Sequence, residues 1–388
     1  MSDTRQATLG SLSDAWAAVR RLLVMRLDNI GDIILAGPAL RALKENLPGV
    51  HLTLMASPSG TLAAELLPWP DEVFTWRVLW QDLGHLDFEP AREWNLVEAL
   101  RAGRYDAAII LTSFSQTPHP AGLASFLAGI PLRAGESKEV GHGELTLALD
   151  PAPDPLHQVE RNLRLIEALG FEVVDRQLAI DVPSNARTHA GELLTTHGVG
   201  PGEPYILLVP WTSTQARTYF PGRFGAAGRQ LGDSLGWPVV VVGREADRDR
   251  AAEVVDPLGS HCVDLIGETT VPELTALVGG ARVVLTGNTS TLHMADALDV
   301  PVVVIYSGTD LVTQWPPRKA PAHILRRETW CTPCYRFECP YNRECMDVAP
   351  EEVVTAALDL LSLPGVQPSQ YQTPNTGQRW PHSQEEER

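Results

Sequence analysis

Thr286-Gly287-Asn288-Thr289-Ser290-Thr291-Leu292-His293 separates two apolar runs, 282–285 and 300–306. The pattern predicts a strand, a tight polar loop, a short helix over 293–298 and a second strand. Where a parallel strand hands over to a helix, backbone N–H groups and small hydroxyls converge on one point. That arrangement holds a phosphate or a polyol. A junction of the same kind lies near the other end: a strand over 22–25, the loop Asp28-Asn29-Ile30-Gly31-Asp32, and a helix over 33–46. Two nucleotide-fold-like halves, each with a polar loop where a strand ends, point to a cleft enzyme handling two substrates.

Outward from these junctions the alternation continues. Strands are expected at 51–55, 107–111, 205–209 and 238–242. Helices are expected at 93–102, 157–169, 223–235, 247–255 and 271–278, with another ending near 197. Strand–helix alternation means parallel sheets covered by helices on both faces, an α/β architecture. The proline-rich stretch at 150–155 and the passage at 181–185 break the pattern. The chain therefore divides into a lead-in (1–19), a first Rossmann-like domain (20–180), a second (181–350), a terminal helix (351–363) and a disordered tail (364–388).

Bulk properties narrow the function. With 388 residues, 44% of them hydrophobic, the chain can fill two cores. A formal charge of −17 argues against wrapping nucleic acid, which needs a basic face. No run approaches the ~20 apolar residues of a membrane span, and no secretory pattern opens the chain, so a cytoplasmic protein is expected.

Three constellations could carry chemistry. Asp32 follows a glycine at a helix start, where it reads either as an N-cap or as a general base facing an acceptor hydroxyl. A helix N-terminus favours the ionised carboxylate and weakens it as a base, so burial under a bound acceptor would have to push its pKa back up. The loop Pro210-Trp211-Thr212-Ser213-Thr214 follows a buried strand, and Ser213 and Thr214 could donate to a diphosphate while Arg217 adds charge. A hydroxyl-rich turn bonding its own backbone is the alternative. Asn288, Thr289 and Ser290 are short enough to let a ligand approach the backbone; His293 is either a contact to it or a structural donor.

Cys331, Cys334, Cys339 and Cys345 form the third constellation. Four thiolates so close in sequence can close a tetrahedral zinc site of structural type; reduced thiols or two local disulfides are the alternatives. Cys262 reads as core. The fingerprints of dinucleotide-binding Rossmann proteins, P-loop kinases, α/β-hydrolases and zinc proteases are missing from the sequence.

At these residues the chain resembles glycosyltransferase family 9, the heptosyltransferases of lipopolysaccharide inner-core assembly. The likeness rests on Arg26-Leu27-Asp28-Asn29-Ile30-Gly31-Asp32 with Pro38-Ala39-Leu40-Arg41-Ala42-Leu43, on the loop at 211–221, and on 286–298 with 300–310. The cysteine spacing resembles one found in a subset of that family. The resemblance implies a GT-B arrangement of two facing Rossmann-like domains, the acceptor on the first and a nucleoside-diphosphate sugar, ADP-heptose-like, on the second. It implies inversion at the anomeric carbon with no cofactor and no catalytic metal, Asp32 as the base, Ser213 and Thr214 as the paired donor-loop hydroxyls, and Asp247 or Glu245 against the nucleoside.

Two departures stand out. The family often has a lysine where this chain has Thr218, and an aspartate where it has Asn288. The first removes a cation from the leaving diphosphate unless Arg217 or His293 substitutes, and the second could change the sugar. These departures are also the support for a rival reading, a catalytically silent nucleotide-sugar-binding or scaffold protein. The acceptor expected is a saccharide or lipid-linked saccharide, and a lipid-linked one would call for loose contact with the inner membrane face, through Trp69, Trp76 and Trp80 and nearby arginines.

Overall fold

The computed structural model describes residues 14–82, 85–139 and 143–363. The expected lead-in up to residue 13 and the expected disordered tail over 364–388 lie outside the described residues. The first sheet contains β1 (Arg21–Arg26), β2 (His51–Ala56), β3 (Glu72–Thr75), β4 (Ala107–Ile110), β5 (Leu132–Glu136) and β6 (Leu147–Leu149). The second contains β7 (Ile206–Val209), β8 (Val239–Val241), β9 (Cys262–Asp264), β10 (Val283–Gly287), β11 (Val302–Ile305) and β12 (Ala322–Leu325). All neighbours pair in parallel.

The two sheets have one topology. The first runs β3-β2-β1-β4-β5-β6, and the second β9-β8-β7-β10-β11-β12. Both are doubly wound, and in each the chain reverses direction across the sheet between its two central strands, β1 and β4 or β7 and β10. Ligands in such sheets bind at that switch point, outside the carboxyl ends of the strands. The central strands are continuous apolar runs because helices cover both faces: Leu22, Leu23, Val24, Ile206, Leu207 and Leu208 are all fully buried.

The helices are α1 (Asp14–Ala17), α2 (Ile30–Asn46), α3 (Pro58–Thr61), α4 (Pro90–Ala102), α5 (His119–Leu127) and α6 (Gln158–Ala168), then α7 (Ser184–Thr196), α8 (Pro221–Leu235), α9 (Ala252–Leu258), α10 (Val271–Gly280), α11 (Ser290–Leu298) and α12 (Pro350–Ser362). Helix α2 is buried at every position from Ile33 to Leu40, as expected of a helix apolar all round, and continues through Pro38. It begins three residues earlier than its sequence suggests, and so does α11. In both cases polar residues belong to the first helical turn and not to the preceding loop. No helix among the described residues is long and apolar enough to cross a membrane.

The domains meet along α2 and α11. One apolar cluster takes in residues of both helices, Ile33 and Ile34 of α2 and Leu292 and Met294 of α11. Polar contacts flank it: Gln314 Nε2 donates to Asp154 O at 2.7 Å, and Arg318 Nη2 to Glu160 Oε1 at 2.6 Å. His157 Nδ1 accepts from Val159 N (3.1 Å), which leaves the ring proton on Nε2 to donate to Pro316 O (3.1 Å). Burial, with the nearby Arg318 charge, pushes this imidazole down to about 3, so it is neutral where it ties the domains.

Candidate active site

Strand β1 ends in Arg26, whose side chain is wholly buried, at the lip of the first switch point. A buried guanidinium needs compensation, and the loop to α2 provides it. Arg26 Nη2 donates to Asp32 Oδ1 (2.6 Å) and to Ser113 Oγ (2.8 Å), while Nε lies 3.1 Å from Asp28 Oδ2. Burial alone would lower the guanidinium's pKa; the two carboxylates more than reverse that and raise it. Asp28 is itself held by Gln116 Nε2 from the loop after β4. Its carboxyl is pushed up, first by burial and then by the charge of Asp32, against the pull of Arg26.

Asp32 is not the N-cap. That place belongs to Asn29, and Asp32 sits three residues on, inside the first turn, where its Oδ2 accepts from Asn29 N at 3.3 Å. Its carboxylate faces a cleft of about 410 Å³ between the domains, within the range of ligand pockets.

The opposite wall comes from the second domain. Asn288, Thr289, Ser290 and His293 all line the cleft, as do Ser213, Arg217 and Asp247. His293 is buried, and burial pushes its imidazole down despite the charges of Asp32 and Asp296. Thr214 and Thr218 do not line the cleft. Thr214 Oγ1 accepts from Arg217 Nε at 3.1 Å, which fixes the arginine's direction. Thr218 is buried beneath the loop, where its Oγ1 donates to Thr214 O at 2.9 Å and contacts Thr212 Oγ1 at 3.1 Å. It is a strut for the loop and not a ligand contact. The loop thus bonds its own backbone through Thr212, Thr214 and Thr218, while Ser213 and Arg217 line the cleft.

Asp247 is buried and lies in a 3₁₀ turn, Glu245–Arg250, not in the expected helix. Its Oδ2 accepts from Arg244 N (2.9 Å) and Nε (3.2 Å), and its Oδ1 from Arg244 Nη2 (3.2 Å) and Arg250 Nη2. Burial would raise its carboxyl, but these arginine bonds lower it. Beside it, Val242, Gly243, Thr270, Val271 and Leu274 form a mostly apolar slot.

The four clustered cysteines line one small hollow with Gly308 and Thr309. Cys339 Sγ accepts from the backbone N–H groups of Tyr341 (3.4 Å) and Arg343 (3.3 Å), the bonding a thiolate takes. As they stand, though, no three His, Cys, Asp or Glu side chains among the described residues are grouped to hold a metal ion. Cys345 is buried against Gly308 while the other three are only partly covered. The tryptophans offered for membrane contact are half-buried. Trp69 packs near Gly37 beneath Arg41, and Trp76 stacks on Arg92.

Sequence reasoning overlooked Arg26, Asp28, Ser113 and Gln116 as a site. A charged residue closing an apolar strand, with two aspartates within six positions, was the available signal. Ser113 and Gln116 carried none, since they reach the site only through the pairing of β1 with β4.

Residues 93–344, more than half of the chain, match glycosyltransferase family 9 (heptosyltransferase). Lipopolysaccharide heptosyltransferase 2 of Salmonella typhimurium is 27% identical over 368 residues, covering 89% of this chain and 100% of that protein. Lipopolysaccharide heptosyltransferase 2 of Escherichia coli is 25% identical over 351 residues, covering 86% and 96%. Among solved structures, the family 9 glycosyl transferase of Veillonella parvula superposes with a TM-score of 0.72 at 20% identity, over 88% of this chain and 97% of that one. E. coli ADP-heptose lps heptosyltransferase II does so with 0.68 at 22% identity, over 88% and 98%. The fold is thus the GT-B arrangement, two doubly wound domains facing across a cleft. The chain belongs to glycosyltransferase family 9 and is a sugar-transferring enzyme.

Proposed function

We propose that this chain is an inverting glycosyltransferase that needs no catalytic metal and moves a heptose-like sugar from an ADP-sugar donor to a hydroxyl of a lipopolysaccharide-core saccharide. The observation that carries the reading is the convergence of Asp32 with Ser213, Arg217 and the first turn of α11 on one cleft, from opposite domains. The sugar and the acceptor class are suggested by the relatives, which are lipopolysaccharide heptosyltransferases.

In this reading the acceptor hydroxyl lies against Asp32, which takes its proton as the oxygen bonds to the anomeric carbon. The bond from that carbon to the diphosphate breaks on the opposite face, and the diphosphate leaves with the electron pair. Attack opposite the leaving group inverts the centre. Positive charge for the departing diphosphate comes from Arg217 and the N-terminal N–H groups of α11. The Asn288 amide grips the sugar, and the slot at Val242, Thr270 and Leu274 takes the nucleoside.

Asp32→Asn tests the base. Asparagine keeps the oxygen that accepts from Arg26 Nη2 and gives up only the 3.3 Å bond from Asn29 N, so the fold and donor binding should persist while transfer falls by about 10²–10⁴-fold. Transfer within tenfold of wild type would remove Asp32 from the role. Retained anomeric configuration in the product, read by NMR, would refute single displacement.

We also propose that the four clustered cysteines hold a structural metal once their side chains converge, with the shared hollow and the N–H bonds to Cys339 as support. A four-sulfur set suits zinc or iron, and such a closed site orders the loop without taking part in transfer. Elemental analysis of protein purified under reducing conditions should give about one such ion per chain, lost in a Cys334→Ser/Cys339→Ser variant. Four freely titrating thiols without metal would contradict it.

A further inference from the structure

Arg26 serves two carboxylates, and only one of them reaches the cleft. Asp32 lines it; Asp28 does not, and sits behind, against Arg26 Nε and Gln116. Were Arg26 paired with Asp32 alone, a buried cation at 2.6 Å would hold the carboxylate firmly ionised and make it a poor proton acceptor. The N-terminus of α2 acts in the same sense.

We propose that Asp28 is a positioning residue for sugar transfer: by sharing the buried Arg26 guanidinium, it keeps that cation from neutralising Asp32 and leaves Asp32 able to accept the substrate proton near neutral pH. The inference rests on the reading of Asp32 as the base.

The surrounding groups fit this division. Nη2 of Arg26 is split between Asp32 and Ser113 Oγ, so its pull on Asp32 is diluted again. Gln116 Oε1 accepts from Ser113 N at 2.8 Å while its amide holds Asp28, which locks the arrangement to the loop after β4. From α11, His293 faces Asp32 as a neutral ring, with Asp296 behind it. Across the cleft stand Arg217 and Asp310, one of each sign. Asp28 is thus the carboxyl that shares Arg26 with Asp32, and its loss would leave Asp32 as the one carboxylate on that guanidinium.

The test reads Asp32 directly. The Asp32 carboxyl is followed by ¹³C NMR in protein labelled at aspartate and assigned with Asp32→Asn, and the pH profile of kcat/KM is measured with ADP-heptose and heptose-free lipopolysaccharide core. Asp28→Asn should lower the Asp32 midpoint by about one pH unit, move the acid limb of the profile by the same amount, and slow transfer at neutral pH by roughly threefold to tenfold. Adding Gln116→Glu to Asp28→Asn restores a negative charge one side chain away and should recover much of the shift. If Asp28→Asn does not fold, Gln116→Glu alone should raise the midpoint. An unmoved Asp32 midpoint in the folded variants overturns the proposal. Retention of transfer by Asp32→Asn would instead overturn the base reading, whatever the NMR shows, so the two failures are separable.

Discussion

Gly31 lies against the imidazole of His293: a Cβ at that position would stand 2.9 Å from His293 Cδ2 and 3.5 Å from the Cα of Ser290. The first turns of α2 and α11, one from each domain, therefore touch at the place where both helices present their N-termini. Glycine is required here for close approach and not for an unusual backbone angle. The contact sets how near Asp32 can come to whatever the α11 turn holds.

Gly31→Ala should consequently damage transfer more than folding. The added methyl must push His293 or the whole α11 turn by several tenths of an ångström. Displacements of that order at a reacting centre cost about 10–100-fold in rate. We expect kcat to fall by that factor with little change in donor affinity. An unaltered kcat would show that the two helices part freely.

In the proposed reaction Arg217 is the cation that meets the departing diphosphate, since Thr218 is uncharged and buried under the loop. Thr214 holds it through Nε and leaves the far end of the guanidinium directed at the cleft. Arg217→Gln should lower kcat by about 10²-fold while thermal stability stays within a few degrees. Undiminished turnover would shift the burden to the α11 N–H groups alone.

His157 gives the domain boundary a pH dependence. Its folded-state value, near 3, lies below the ordinary 6.5 because burial and Arg318 disfavour the charged ring. The unfolded chain therefore binds a proton that the folded chain refuses, and stability is lost as pH falls from 6.5 toward 3. The slope is at most about 1.4 kcal/mol per pH unit. His157→Gln removes the titration and keeps a donor for Pro316 O. Denaturant melts of the two proteins should diverge by that slope below pH 6.5 and run parallel above it; parallel curves throughout would mean that the ring is solvated.

The central strands and the major helices were legible because each sheet is buried on both faces, which writes its inner strands as unbroken apolar runs. The peripheral strands β3, β5 and β6 were not, since Glu72–Thr75 is largely exposed, Leu132–Glu136 carries an arginine and a glycine, and Leu147–Leu149 is only three residues long. The cleft residues on the two loops that follow strands could be named from type and position. The role of Thr218 could not, because nothing local distinguishes a hydroxyl aimed at a ligand from one bonded to its own loop. Of the two readings of Asp32, the cap places the helix start one turn too late for a related reason: the true cap, Asn29, is an equally good one by type, and only the capping-box bond at Asn29 N separates them.

The apolar cluster that crosses from α2 to α11 gives the molecule a mechanical character. Swinging the lobes wide apart would part the packed α2 and α11 and wet the apolar cluster that both helices share, so the boundary resists gaping in the way a greased seam resists water. Small rotations about the His157–Pro316 and Arg318–Glu160 tethers are cheaper, and they leave that seam dry. Traffic into and out of the crevice would then pass through its rim, with the lobes rocking on a fixed contact.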